Sequence, residues 1–138
     1  MRVFFDTNVL VYLFDRDAPD KQKRARALIE SEVEAGRAIL STQVLQEFYV
    51  AVTHKLLRPL EPAAALSALQ KLAMLPHAQV DADLVLQAAK RSQTESLSFW
   101  DALIVETALH CGARWLYSED LQHGRSYDGL QVINPFQA

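Results

Sequence analysis

Short apolar segments that stop at polar or acidic residues alternate with longer stretches of helical period along almost the whole chain. That alternation is what limits the fold. Arg2-Val3-Phe4-Phe5 is rich in strand formers and stops at Asp6-Thr7-Asn8, and Ala38-Ile39-Leu40, Trp115-Leu116-Tyr117 and Gln131-Val132-Ile133 share its character. Between them, Ala25, Leu28, Ile29 and Val33 recur at helical spacing from 19 to 35, with Gly36 as a stop. Further helices are expected over 9–15, over 43–56 with Ser41 or Thr42 as cap, and over 63–74 ahead of Pro76. Asp81 is placed to cap another helix, carrying Leu84, Val85, Ala88 and Ala89, and Ser98 to cap one over 99–110 that ends at Gly112. Strands alternating with helices predict an α/β fold, a three-layer α/β/α sandwich around a parallel sheet of about four or five strands.

A chain of 138 residues, half of them hydrophobic, suits one domain over 1–138 with one core. The single cysteine, Cys111, excludes an intrachain disulfide, fits a reducing cytosol and reads as an inert packed thiol. The longest apolar run, 9–14, is too short for a bilayer, and Asp6 falls where a signal peptide needs apolar residues, so a cytoplasmic protein without a membrane anchor is expected. The net charge of −3 gives no general attraction to nucleic acid, so a polyanionic partner would need a local basic patch or bound cations.

In open α/β sheets ligands collect beyond the carboxyl ends of the strands, and Asp6 and Asp120 both fall there. Asp6 suits a helix cap, yet Asn8 beside it makes the segment richer in polar groups than one helix start requires. Glu47 borders an apolar helix face formed by Val44, Phe48 and Ala51, where a solvated edge is the plain alternative to a site. Asp101 stands three residues after Ser98, the spacing of a capping box, with Phe99 and Trp100 expected to anchor the helix start against the core. Ser118-Glu119-Asp120 follows a strand as a polar turn, and spacing does not choose whether Glu119 or Asp120 faces a site.

These segments together resemble the PIN domain family, and most closely the VapC-type toxin ribonucleases of bacterial toxin-antitoxin pairs. The resemblance is carried by Asp6-Thr7-Asn8, by Glu47 within Ser41-Thr42-Gln43-Val44-Leu45-Gln46-Glu47-Phe48, by Asp101 within Phe99-Trp100-Asp101-Ala102-Leu103-Ile104, and by Ser118-Glu119-Asp120. It implies that Asp6, Glu47, Asp101 and Asp120 are catalytic, metal-binding acids, with Asn8 and Ser118 as supporting polar groups. The family more often has threonine at the position of Ser118, and serine keeps the hydroxyl. The resemblance also implies an endoribonuclease that hydrolyses RNA phosphodiester bonds, a small antitoxin partner and a homodimer.

Hard oxygen ligands select Mg²⁺ or Mn²⁺, and neither Cys111 nor His54, His77, His110 and His123 form a zinc pattern. RNA could be drawn in by Lys21, Lys23, Arg24 and Arg26, or by Lys55 and Arg58, although solvated helix faces are the safer explanation of most of these; Arg125 follows Asp120 closely in sequence. Phe48, Tyr49, Val52, Leu56, Leu57, Leu66 and Leu69 supply either core or a groove for an antitoxin helix. Two other functions fit parts of the pattern. A PIN-like module could bind RNA or protein without cutting, and a haloacid-dehalogenase-type phosphatase also has an aspartate after its first strand. That phosphatase family wants a second aspartate where Asn8 stands.

Overall fold

Val3, Phe4 and Phe5 have no exposed surface, which marks the first strand, β1 (Arg2–Phe5), as one covered on both faces. In the computed structural model, which describes residues 1–137, β1 leads into α1 (Thr7–Val11), a single 3₁₀ turn (Tyr12–Phe14) and α2 (Pro19–Glu34). Then come β2 (Ala38–Ser41), α3 (Thr42–Val50) with a π-helical continuation (Ala51–Lys55), α4 (Pro62–Ala73) and β3 (His77–Ala78). The chain closes with α5 (Ala82–Glu95), α6 (Phe99–His110), β4 (Ala113–Tyr117), β5 (Ser126–Tyr127) and β6 (Leu130–Ile133).

The strands form one sheet in the order β3-β2-β1-β4-β6-β5, parallel except for β5, which runs antiparallel to β6. Helices cover both faces, as the alternation requires. The sheet has six strands rather than four or five, because β3 and β5 contribute two residues each. Two residues leave no periodic pattern to read.

The topology fixes where a ligand can go. The chain leaves β1 for β2 on one side and later returns to β4 on the other, so the order of strand addition reverses between the parallel β1 and β4. Beyond the carboxyl ends of two such strands a crevice opens. Phe5 is in register with Tyr117, the Asp6 amide donates to the Tyr117 carbonyl at 2.9 Å, and the Ser118 amide donates to that of Ile133 at 3.0 Å. Asp6 and Ser118 are thereby held at the mouth of that crevice.

The main core lies on the sheet, while Leu84, Ala88, Ala102 and Leu103 form a smaller cluster between α5 and α6. Helix α6 is apolar nearly all round because it packs on α5 as well as on β4 and β6. Gly36 and Gly112, both at φ 72°, follow α2 and α6, where a left-handed residue lets the chain turn away. Cys111 is buried and free.

Two expected helices are resolved differently. The one expected over 9–15 begins at Thr7, capped by Asp6, and tightens to 3₁₀ after Val11. The one expected over 43–56 widens after Val50, where the Leu56 amide reaches back five residues to the Ala51 carbonyl at 3.2 Å. The apolar excess between 43 and 74 also divides: Phe48 and Val52 are core, whereas Leu57 and Leu66 are exposed. No described helix is long and apolar enough to cross a membrane.

Candidate functional site

At the crevice between β1 and β4 lies a cleft of about 440 Å³ lined by Asp6, Glu47, Asp101 and Asp120, together with Thr7, Asn8, Gln43, Gln46, Lys55 and Trp100. Four acids more than forty, or nearly twenty, residues apart in sequence meet there because four elements end or begin at one edge of the sheet. Asp6 ends β1, Glu47 sits one turn into α3, Asp101 lies in the first turn of α6, and Asp120 follows β4.

Asp6 is the buried member, 5% exposed. Its Oδ1 accepts from the Thr7 amide at 2.8 Å and its Oδ2 from the Ser118 hydroxyl at 2.7 Å. The Ser118 Oγ in turn accepts from the amides of Asp120 and Leu121, both at 3.2 Å. One fully buried hydroxyl therefore ties the end of β1 to the turn after β4. Burial drives the Asp6 carboxyl up to about 7, the charges of Asp120 and Asp101 push the same way, and the Ser118 and Thr7 donors offset only part.

Two of the other acids, Glu47 and Asp120, are held by neutral donors. Thr7 Oγ1 donates to Glu47 Oε1 at 2.7 Å, and Gln43 Nε2 lies 3.5 Å from Glu47 Oε2 while donating to the Trp100 carbonyl at 3.2 Å. Asn8 Nδ2 donates to Asp120 Oδ2 at 2.8 Å. Burial first, and then the charge of Glu47, raises the Asp101 carboxyl; burial and the charges of Asp101 and Glu119 raise that of Asp120. No Lys or Arg forms an ion pair with any of the four among the described residues. Nor, among those residues, do three Asp, Glu, His or Cys side chains already stand in a ligating arrangement. The acids share a cleft and feel one another's charge without closing on a point.

Glu119, which spacing could not separate from Asp120, turns away from the cleft. It accepts from the Tyr12 hydroxyl at 2.6 Å and pairs with Lys21, whose ammonium also lies 4.9 Å from the Tyr12 ring centre. Burial favours protonation of Glu119, but Lys21 and Tyr12 outweigh it and hold the carboxyl below its ordinary value. Asp120 is the member of the pair that lines the cleft.

The Ser98 cap is observed, with its hydroxyl accepting from the Asp101 amide at 3.1 Å. The expected anchoring of Trp100 in the core is not, because the residue is 60% exposed beside the cleft while the residues that follow Asp101 fill the interior. Thr7, Gln43 and Lys55 were not singled out as cleft residues by sequence. Thr7 lies inside the Asp6-Thr7-Asn8 segment, and a hydroxyl between two candidate ligands was the available signal. Lys55 reaches the cleft on the π-helical turn, which no Gly or Pro announces.

A family model for the PIN domain matches residues 3–127. The chain belongs to the PIN domain family. Solved structures share the fold at low identity. VapC20 of Mycobacterium tuberculosis, described as a toxin cleaving the sarcin-ricin loop, is 23% identical with a TM-score of 0.68, over 86% of this chain and 89% of its own. A toxin-antitoxin complex from Klebsiella pneumoniae aligns over 99% of both chains at 18% identity and a TM-score of 0.71. VapBC2 of Rickettsia felis, bound to a DNA fragment from its promoter, aligns over 96% of this chain and 97% of its own at 18% identity and a TM-score of 0.67. No curated protein matches. In this PIN domain the matched span contains all four cleft acids together with Asn8 and Ser118.

Proposed function

We propose that this PIN domain is a divalent-metal-dependent endoribonuclease and the toxin of a toxin-antitoxin pair. The observation that carries the reading is the gathering of Asp6, Glu47, Asp101 and Asp120 in one cleft without a basic partner. Four carboxylates brought together at a cost in repulsion and desolvation need a compensating cation, and their oxygens suit Mg²⁺ or Mn²⁺. Asp6, Asp101 and Asp120 are assigned as ligands, and Glu47 as ligand or water-orienting group.

When bound, such an ion supplies charge neutralisation for a phosphodiester and a water of lowered pKa. The chain's own groups prepare the site. Ser118 and the Thr7 amide fix both oxygens of Asp6, Asn8 aims Asp120, and Thr7 with Gln43 sets the rotamer of Glu47. Asp101 stands at the start of α6 with the Ser98 hydroxyl as its one neighbouring donor among the described residues, which offsets only part of the burial that raises its carboxyl. Because the chain supplies no serine, cysteine or histidine nucleophile in the cleft, hydrolysis is assigned to water.

RNA as substrate and an antitoxin partner are supported by the likeness to a loop-cleaving toxin and to toxin-antitoxin complexes; a homodimer and action in the cytoplasm are further parts of the same reading. A PIN-like module that binds RNA or protein without cutting is the second reading, and the spread of the acids away from a common point favours it. A phosphatase using Asp6 as nucleophile is less suited, since Asn8 occupies the place of its second acid and is bonded to Asp120. Incubating the purified protein with single-stranded RNA and Mg²⁺ or Mn²⁺, beside Asp6→Asn, separates the first two. Cutting that chelator and the variant both abolish is expected. Binding without cutting establishes the module.

A further inference from the structure

Trp100 is the one aromatic residue among the exposed large apolar side chains of the described residues, and it stands on the cleft one position before Asp101. It is held rather than loose. Its carbonyl accepts from Gln43 Nε2 at 3.2 Å, and its ring meets that of Phe99 edge-on, 5.2 Å between centres at 80°. Both neighbours of Gln43 Nε2, the Trp100 carbonyl and Glu47, are acceptors, which fixes the orientation of that amide. Gln43 itself is 3% exposed, so a buried side chain ties the backbone of Trp100 to a cleft acid.

Lys55 lines the same cleft and forms no ion pair among the described residues. The carboxylates repel a phosphate until cations screen them, so affinity for a polynucleotide has to come from other groups. An exposed indole on a cleft that also holds an ammonium outside any ion pair is a combination that binds single strands, by stacking an unpaired base and meeting its phosphate. In a duplex both faces of each base are already covered by its neighbours.

We propose that Trp100 stacks on one unpaired base of the substrate and supplies the cleft's contact to a nucleobase. The inference rests on the nuclease reading of the cleft, and its test is arranged to fail separately from that reading. The chain has two tryptophans, so Trp115→Phe leaves Trp100 as the sole indole. In a Trp115→Phe/Asp6→Asn protein with Mg²⁺, a short single-stranded oligoribonucleotide should quench the Trp100 fluorescence saturably, whereas the same sequence annealed to its complement should not at equal concentration. In the otherwise unaltered protein, Trp100→Ala should raise KM for the single strand ~5- to 100-fold with kcat within about threefold, and Trp100→Phe should recover most of the loss.

Equal quenching by single strand and duplex, absence of quenching, or an unchanged KM in Trp100→Ala overturns the proposal. So does a change in sedimentation of Trp100→Ala, which would make the indole a contact between copies. Selective quenching by a protein that never cuts RNA would leave the stacking site standing and remove the nuclease.

Discussion

Carboxylates cluster at two places in this molecule, and the chain treats them oppositely. Around Arg91, three acids from three elements meet one guanidinium: Glu106 at 2.6 Å, Asp128 at 2.8 Å, and Glu95 one turn along α5. The Arg91 side chain is 11% exposed, so a permanent cation is built into the seam between α5, α6 and the β5–β6 turn. In the cleft, four acids meet only hydroxyl, amide and backbone donors. Identical side-chain chemistry is thus a structural tie in one region and an open charge in the other, and the presence of a resident cation makes the difference.

Replacing cleft acids should separate the two regions most sharply. Asp6→Asn and Asp101→Asn are expected to lower RNA cleavage by at least ~10³-fold, while Arg91→Met leaves kcat/KM within about threefold below its own melting temperature. Steady-state cleavage of a fluorogenic RNA measures both. A large loss in Arg91→Met alone would show that the two clusters are coupled. The reverse order is expected for stability. Arg91→Met leaves Glu106 and Glu95 without their cation, while the exposed Asp128 stays solvated, and should cost about 1–3 kcal/mol in urea denaturation, whereas Asp6→Asn should cost nothing or stabilise.

The pH response should differ in the same sense. The Asp6 carboxyl is raised from 3.8 to about 7 in the folded chain, so the native state holds its proton over a range in which the unfolded state has lost it. Stability in chelator should therefore be greatest below pH 3.8 as far as this group is concerned and decline as pH rises toward 7. Asp101 and Asp120 are shifted in the same direction. Thermal melts of Asp6→Asn against the parent isolate the Asp6 contribution, and a parent that gains stability across that interval relative to the variant contradicts the assignment. The smallest effect is expected at Glu119. Its partner Lys21 is 41% exposed, and Glu119→Gln should change stability by less than about 1 kcal/mol while Asp120→Asn abolishes cleavage.

Much of the fold was legible because β1, β2, β4 and β6 each carry a short apolar run and because Gly36, Ser98 and Gly112 mark helix ends by known backbone requirements. The short β3 and β5 were not, since two residues carry no period. The acids were legible as residues at element ends, but the choice of Asp120 over Glu119 depended on Tyr12 and Lys21, more than ninety positions earlier in the chain. Trp100 was misread as core because aromaticity signals burial in sequence, whereas here the apolar residues after Asp101 already fill the interior. Sequence offers Lys55 as either an RNA-attracting charge or a solvated one, and only the π-helical turn shows that it lines the cleft.

Calorimetric titration of Mn²⁺ into the parent protein and into an Asp6→Asn/Asp101→Asn double variant tests the open-charge account most directly. Saturable binding by the parent, lost in the double variant and unaltered in Arg91→Met, is the predicted result; at a hundredfold excess over Kd it should also add about 2.7 kcal/mol of stability. Equal heats from the parent and the double variant would contradict it.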